Sequence, residues 1–247
     1  MRDPKEVGGE LPNTYSTRWF ELFLDPIDRD QTAREVAFVA RHLPLPHYRR
    51  VLDVCCGSGR HALPLAARGY EVTGIDNNRD TVEAARSRAG GTARFLEHDM
   101  RRLDLIDGEF DGCLILWQSF GHFDQDANTG VLRQVRQKLR PGGRLILDVY
   151  NRDAVTQLPK RRTFEQGTIT VRETRSWTGS RLTVELDYGG SGGDRFSWHV
   201  FTPDELTSLT HDMGLELLQS CTWFDETRPP SAEHARMQLV LEKVARD

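Results

Sequence analysis

Three carboxylates stand in or just after short apolar runs, and each is placed to hold a ligand. Asp53 interrupts the run Val51, Leu52, Val54 and lies four residues before the segment Gly57-Ser58-Gly59. An unpartnered carboxylate is costly to bury, so Asp53 is expected to accept hydrogen bonds from the glycine loop or from a ligand's amine. Gly57 and Gly59 carry no Cβ, which lets the backbone turn sharply and come within contact distance of a bound molecule. A helix expected over residues 60–68 would aim its free N–H groups and positive dipole end there, favouring a carboxylate, a phosphate or ribose hydroxyls. Asp76 closes a second strand-like run, 71–75, at the separation suited to a ribose-binding acid. Asp99 follows a third run, 93–97; its carboxylate suits an exocyclic amine, while the thioether of Met100 packs on a ring face. His122 follows a fourth strand, and its imidazole titrates in a range useful for proton transfer or for orienting a second substrate.

Glycine spacing does not choose the ligand. Gly57-Ser58-Gly59-Arg60-His61-Ala62 fits the dinucleotide pattern G-x-G-x-x-G/A, so a nicotinamide-dependent oxidoreductase shares this turn. That reading leaves Asp53, the Asp99-Met100 pair and Pro141-Gly142-Gly143 without a role. A non-catalytic binding module is a second alternative.

The elements that must position these groups follow from periodicity. Residues 1–14 are polar and bear glycine and proline. Trp19, Phe20, Phe23 and Leu24, then Val36, Phe38, Val39 and Leu43, predict two helices broken at Asp25-Pro26. From Val51 to Tyr150 strands alternate with helices, which predicts a doubly wound α/β fold, Rossmann-like, with a mostly parallel sheet. After Asn151 the pattern changes. Residues 168–176, 181–188 and 195–201 read as strands separated by turn signals at Thr178-Gly179-Ser180 and at 189–193, an antiparallel β insertion after the fifth strand. Thr202 with Pro203 predicts a capped helix to His211, and 215–224 and 237–244 read as closing strands. The expected domains are a tail and helical lid at 1–48, a ligand-binding α/β domain at 49–151 and 202–247, and an inserted cap at 152–201. In such a sheet Gly57, Asp76, Asp99 and Trp117 converge beyond the strands' carboxyl ends, where strand order reverses.

Taken in order, the pieces Leu52-Asp53-Val54-Cys55-Cys56-Gly57-Ser58-Gly59, Val72-Thr73-Gly74-Ile75-Asp76, His98-Asp99-Met100-Arg101, Phe110-Asp111-Gly112 and Leu139-Arg140-Pro141-Gly142-Gly143 resemble the class I S-adenosylmethionine-dependent methyltransferases. With Ser119-Phe120-Gly121-His122-Phe123 they look like a bacterial subgroup of stand-alone methyltransferase-domain proteins of the small-molecule type. The resemblance implies S-adenosylmethionine as cofactor, held by Tyr15, Asp53, Gly57, Ser58, Gly59, Asp76, Asn77, Asp99, Met100 and Trp117. It implies methyl transfer to an N or O atom of a small molecule with no metal, and the place of His122 after the fourth strand, close to the expected methyl position, makes it the expected catalytic side chain. Two positions depart from the subgroup's pattern: Cys55-Cys56, where one small residue is usual, and His122, where an aromatic residue is common.

Composition fits those expectations. The chain of 247 residues has a net charge of −4 with mixed signs, which gives no reason to expect a polyanionic partner. Its basic runs (Arg49-Arg50, Arg101-Arg102, Lys160-Arg161-Arg162) are short and scattered. Four cysteines (Cys55, Cys56, Cys113, Cys221) show no C-x-x-C spacing, as expected for reduced thiols in a cytoplasmic protein. No apolar stretch approaches the length of a membrane span, and residues 1–13 lack the apolar core of a signal peptide. The sequence carries no sign of oligomeric state.

Overall fold

The computed structural model describes residues 13–244. Most of the expected tail therefore lies outside the described residues. A short helical turn α1 (Thr17–Trp19), capped by the Ser16 hydroxyl, runs into a π-helical turn at Phe20–Leu24. After the break at Asp25-Pro26, α2 (Arg29–His42) starts with the Asp28 carboxylate accepting from the Asp30 N–H. The chain then alternates through β1 (Arg50–Val54), α3 (Ala62–Ala67), β2 (Glu71–Asp76), α4 (Arg79–Ala89), β3 (Arg94–Glu97), a 3-10 turn at Met100–Leu105, β4 (Phe110–Ile115), α5 (Gln125–Lys138) and β5 (Leu139–Tyr150).

The short α6 (Arg152–Val155) opens the insertion, which continues as β6 (Arg161–Gln166), β7 (Ile169–Thr178), β8 (Arg181–Asp187) and β9 (Gly193–His199). The capping box of Thr202 and Glu205 starts α7 (Pro203–Asp212), and β10 (Leu215–Cys221) and β11 (Arg236–Lys243) complete the fold.

Seven strands form one sheet in the order β10-β11-β5-β4-β1-β2-β3. The pairs β1–β2, β2–β3, β1–β4 and β4–β5 are parallel, and β5–β11 and β10–β11 are antiparallel. The Rossmann-like expectation is met. Alternate residues of the strands enter two cores: Leu52 and Val54 pack with Leu132, Val135 and Leu206, while Val51 and Val72 pack with Val36, Phe38, Leu65 and Val82. Strand order reverses between β1 and β4, so a crevice opens at their carboxyl ends.

The insertion is a separate antiparallel sheet, β6-β7-β8-β9. Its first strand was missed in the sequence because Arg161, Arg162 and Thr163 are exposed and alternate nothing apolar. Its apolar face, with Val171, Leu182, Phe196 and Trp198, packs a third core against Tyr15, Trp19, Leu22 and Phe23. The N-terminal segment is also tied to the edge strand β9 by polar bonds. The Asn13 carboxamide donates to the Ser197 carbonyl and accepts from the Ser197 N–H, and Ser16 donates through its N–H and hydroxyl to Asp194.

Several boundaries move. The helix expected over 60–68 begins only at Ala62, because residues 57–61 are spent on the turn that follows β1. The strand expected over 215–224 stops at Cys221, since Trp223 and Phe224 adopt left-handed backbone angles (φ 59° and 56°) that no strand tolerates.

Candidate active site

A cavity of about 360 Å³ occupies the crevice. It receives Asp53 and Cys55 from the end of β1, Gly57 and Ser58 from the loop, and Asp76 and Asn77 from the end of β2. Asp99 and Met100 enter after β3 and Trp117 and His122 after β4, with Asn13, Tyr15 and Trp19 from the N-terminal segment. The chain bends sharply to deliver them. Cys55, Trp117 and Gln118 all hold positive φ (60°, 56° and 54°), a conformation that costs a side-chain-bearing residue on the order of 1–3 kcal/mol. Asp148, fully buried at the end of β5, offsets that cost by accepting from the Trp117 N–H at 2.9 Å while its carbonyl accepts from the Gln118 N–H.

Asp53 is 2 % exposed, and its Oδ2 has no hydrogen-bond partner. Burial pushes its carboxyl up to about 7 against the pull of Arg60. The glycine loop, one of the two partners expected for it, does not bond to it; the Gly57 N–H donates instead to Asp76 Oδ2 at 2.9 Å. Asp53 is thus an acid with one orphaned oxygen in a ligand-sized cavity, which matches the ammonium of an amino-acid moiety. Asp76 has its Oδ1 engaged by the Asn78 N–H, and burial raises its carboxyl as well.

Gly57, with φ 52°, would place a Cβ in open space, so only backbone geometry calls for glycine there. Gly59 is a correction. It does not line the cavity; a Cβ on it would meet Leu63 Cγ at 3.0 Å and Phe95 Cζ at 3.1 Å, so it serves helix–strand packing.

Asp99 lines the cavity, but both its oxygens are taken by Arg101, whose Nη2 lies 2.7 Å from Oδ2. Burial alone would raise the Asp99 carboxyl; the bonds from Arg101 outweigh it and hold it below the usual range. An adenine amine would therefore share an oxygen already engaged. Met100 is 6 % exposed and receives the Cys55 thiol at 3.6 Å. Ser58 accepts from Arg88.

Trp117 packs against two guanidiniums, the carbons of Arg60 and Arg236 lying 4.6 and 4.7 Å from its ring centroid. Its indole N–H donates to Glu35 at 3.1 Å. Glu35 is the principal residue that sequence reasoning missed. Almost fully buried on α2, it also accepts from Gln31, Arg60 (2.5 Å) and His61 (2.7 Å). Burial would raise its carboxyl, but His61 and Arg60 outweigh it and hold the group well below the ordinary range. Asp148 was missed too, though it carries the same signal as Asp53: an acid inside the apolar run Leu145-Ile146-Leu147-Asp148-Val149. It binds Gln238 at 2.8 Å and Arg236, whose guanidinium burial lowers to about 10.

His122 is 6 % exposed, and burial lowers its imidazole to about 4, so the ring is neutral near pH 7. The backbone of Ser197 fixes the Asn13 carboxamide so that its NH2 faces His122 Nδ1 at 2.9 Å. Nδ1 must then accept, and this assigned hydrogen-bond pattern leaves the proton on Nε2. Tyr15 stacks on Phe196 at 4.6 Å between centroids, and burial pushes its phenol up. All four cysteines are free, and burial raises each thiol, so none is poised as a nucleophile.

Residues 51–143 match the methyltransferase domain family, a span that includes the glycine loop, Asp53, Asp76 and Asp99. The chain carries a class I S-adenosylmethionine-dependent methyltransferase domain. It is 28% identical over 213 residues to a putative methyltransferase, YqeM, of Bacillus subtilis, covering 81% of this chain and 86% of that protein. A glycine/sarcosine N-methyltransferase of Halorhodospira halochloris is 30% identical over 162 residues, where the match spans 63% of this chain and 59% of the relative. The S-adenosylmethionine-bound amino pentose methyltransferase CalS10 from Micromonospora echinaspora superposes with a TM-score of 0.67 at 20% identity, covering 95% of this chain and all of that one. The nicotinamide alternative falls with this result. The methyltransferase's cavity suits S-adenosylmethionine, since the orphaned Asp53 oxygen awaits a cation and the backbone at Gly57 leaves room for a ligand. Among the described residues no cluster of potential metal ligands is present, and no helix is long and apolar enough to cross a membrane.

Proposed function

We propose that this methyltransferase acts on a small molecule and delivers the methyl group to nitrogen, with oxygen as the alternative acceptor atom. The three imidazoles that line the cavity, His61, His98 and His122, carry this reading, and His98 already donates through Nε2 to the Arg102 carbonyl. Burial lowers both His61 and His122 to about 4, and each already has a ring nitrogen committed, to Glu35 and Asn13 respectively. A hydroxyl ionises far above neutral pH and gains from a nearby base, whereas an amine that has lost its proton to solvent has a free lone pair. The acceptor is then held rather than activated. The glycine/sarcosine N-methyltransferase among the relatives supports the same choice.

When bound, the cofactor supplies a methyl group on a sulfonium that departs as a neutral thioether. The chain's task is to hold the two reactants in line, an effect that can supply about 7–11 kcal/mol. Asp53 would pair with the cofactor's ammonium, Asp76 and Asn77 would take ribose hydroxyls, and Asp99 and Met100 would bound the adenine. Ser58 with the Gly57 backbone would line the glycine-loop side, and Trp117, pinned by Glu35 and Asp148, would set the reacting end. His122 would orient the acceptor through its Nε2–H, and Tyr15 and Trp19 would exclude water. In this reading residues 13–48 are a lid and residues 152–201 form a cap that together close the chamber.

The test is incubation of the protein with methyl-labelled S-adenosylmethionine and pools of amines, amino acids, amino sugars and hydroxy compounds, followed by mass spectrometry. Label on a small amine is expected. Label found only on hydroxyls, or only on nucleic acid or protein, would overturn the assignment.

A further inference from the structure

Behind the glycine loop lies a second cavity of about 470 Å³ that the transfer reaction leaves without a role. Four arginines line it: Arg29 from α2, Arg60 and Arg68 bracketing α3, and Arg88 from α4. Asp25 is its one acid. Arg29, Arg68 and Arg88 are exposed, and among the described residues none of the three has a carboxylate within ion-pair distance. Arg88 is held toward the loop by its bond to the Ser58 hydroxyl. The Arg60 Nη1 is spent on Glu35 and Thr32, but its buried Nη2 has no partner. The floor between them is apolar, with Leu24, Ile27, Val36 and Pro64.

This is an unusual place to gather positive charge. The chain as a whole is acidic, with a net charge of −4, and its other arginines are largely matched to carboxylates, as in Arg41–Glu226, Arg140–Asp111 and Arg144–Glu242. Guanidinium groups left unmatched around one concavity repel one another, and an anion bound among them relieves that repulsion. A single carboxylate satisfies one fork. A phosphate or diphosphate offers enough acceptor oxygens for several. The apolar floor favours an anion with an organic body over a fully solvated polyanion.

We propose that this groove binds the phosphate or diphosphate group of an organic phosphate, beside the methyl-transfer chamber and separate from it. Leu24, Ser58 and Arg60 border both cavities, so an occupant of one would touch the wall of the other.

Inorganic pyrophosphate titrated into the full chain by calorimetry tests this, with wild type compared against the double variant Arg29→Ala/Arg68→Ala. Neither residue lines the methyl-transfer chamber and both are exposed, so the variant should fold and bind S-adenosylhomocysteine as the wild type does. One saturable pyrophosphate site is expected in the wild type, weakened about 10-fold to 100-fold in the double variant. The charge-retaining variant Arg68→Lys should recover part of the loss. Three results would each overturn the proposal: heat that never saturates, equal affinity in both proteins, or pyrophosphate displaced by S-adenosylhomocysteine, which would put the anion in the cofactor chamber. Tight, steeply salt-dependent binding of an oligonucleotide with no pyrophosphate site would overturn it in favour of nucleic acid.

Discussion

Replacing Asp53 with asparagine should make the ligand-free protein more stable and the cofactor complex weaker. Asp53 is 2 % exposed with one orphaned oxygen, and burial lifts its carboxyl from the ordinary 3.8 to about 7. Between those values the folded chain holds a proton that the unfolded chain releases. The favourable contribution is therefore fully present below pH 4 and is lost as pH rises through 7. A rise of that size corresponds to about 4 kcal/mol of stability lost by pH 8, as an upper bound on what asparagine would return. In a protein of this length 1 kcal/mol moves Tm by about 2–4 °C, so the difference between variant and wild type should open on the order of 10 °C at pH 8 and close below pH 4.5. Differential scanning fluorimetry of both proteins across pH, with and without S-adenosylhomocysteine, reads this directly. The ligand's ammonium pairs with ionised Asp53, so the wild type should gain more from it at pH 8 than the variant does. Parallel Tm profiles for the two proteins would refute the reasoning, because they would mean that Asp53 does not carry an uncompensated charge.

Asp76→Ala should weaken S-adenosylmethionine and S-adenosylhomocysteine together by about 2–4 kcal/mol, through lost ribose bonds and a freed Gly57 N–H; calorimetry giving unchanged affinity would remove Asp76 from the site. His122→Asn should slow single-turnover transfer without altering its pH profile between 6 and 8, since the imidazole is already neutral there; loss of an ionisation limb in the variant would restore a general-base role. Glu35→Ala leaves Arg60 and His61 without their shared carboxylate and should cost about 3–5 kcal/mol in urea unfolding. Because the folded Glu35 carboxyl titrates below its ordinary range, its stabilisation is present at neutral pH and lost on acidification, so wild type and variant should converge in strong acid. Gly59→Ala should destabilise the fold by about 1–3 kcal/mol through its positive φ and the contacts with Leu63 and Phe95, while the cofactor affinity of the folded fraction stays near that of the wild type.

The sequence by itself determined the alternating α/β order, the glycine turn after β1 and the acids at the ends of β1, β2 and β3. These are local signals: an apolar run of strand length, a residue without a Cβ, and a carboxylate where burial demands a partner. The capped start of α7 was legible for the same reason, since Thr202, Pro203 and Glu205 write their own bonds within one turn. What partner each acid takes was decided only in three dimensions. The Gly57 N–H goes to Asp76, nineteen positions away, rather than to Asp53, four away, because the parallel pairing of β1 with β2 brings the two strand ends together. Glu35 reads in the sequence as one more polar residue of an amphipathic helix; only the packing of α2 over α3 gives it Arg60, His61 and Trp117 at once. His122 shows the limit most clearly. Its tautomer turns on a bond to Asn13, 109 residues distant, and its neutrality on the burial created where the N-terminal segment packs on β9, and both exist only once that segment and the second sheet have met.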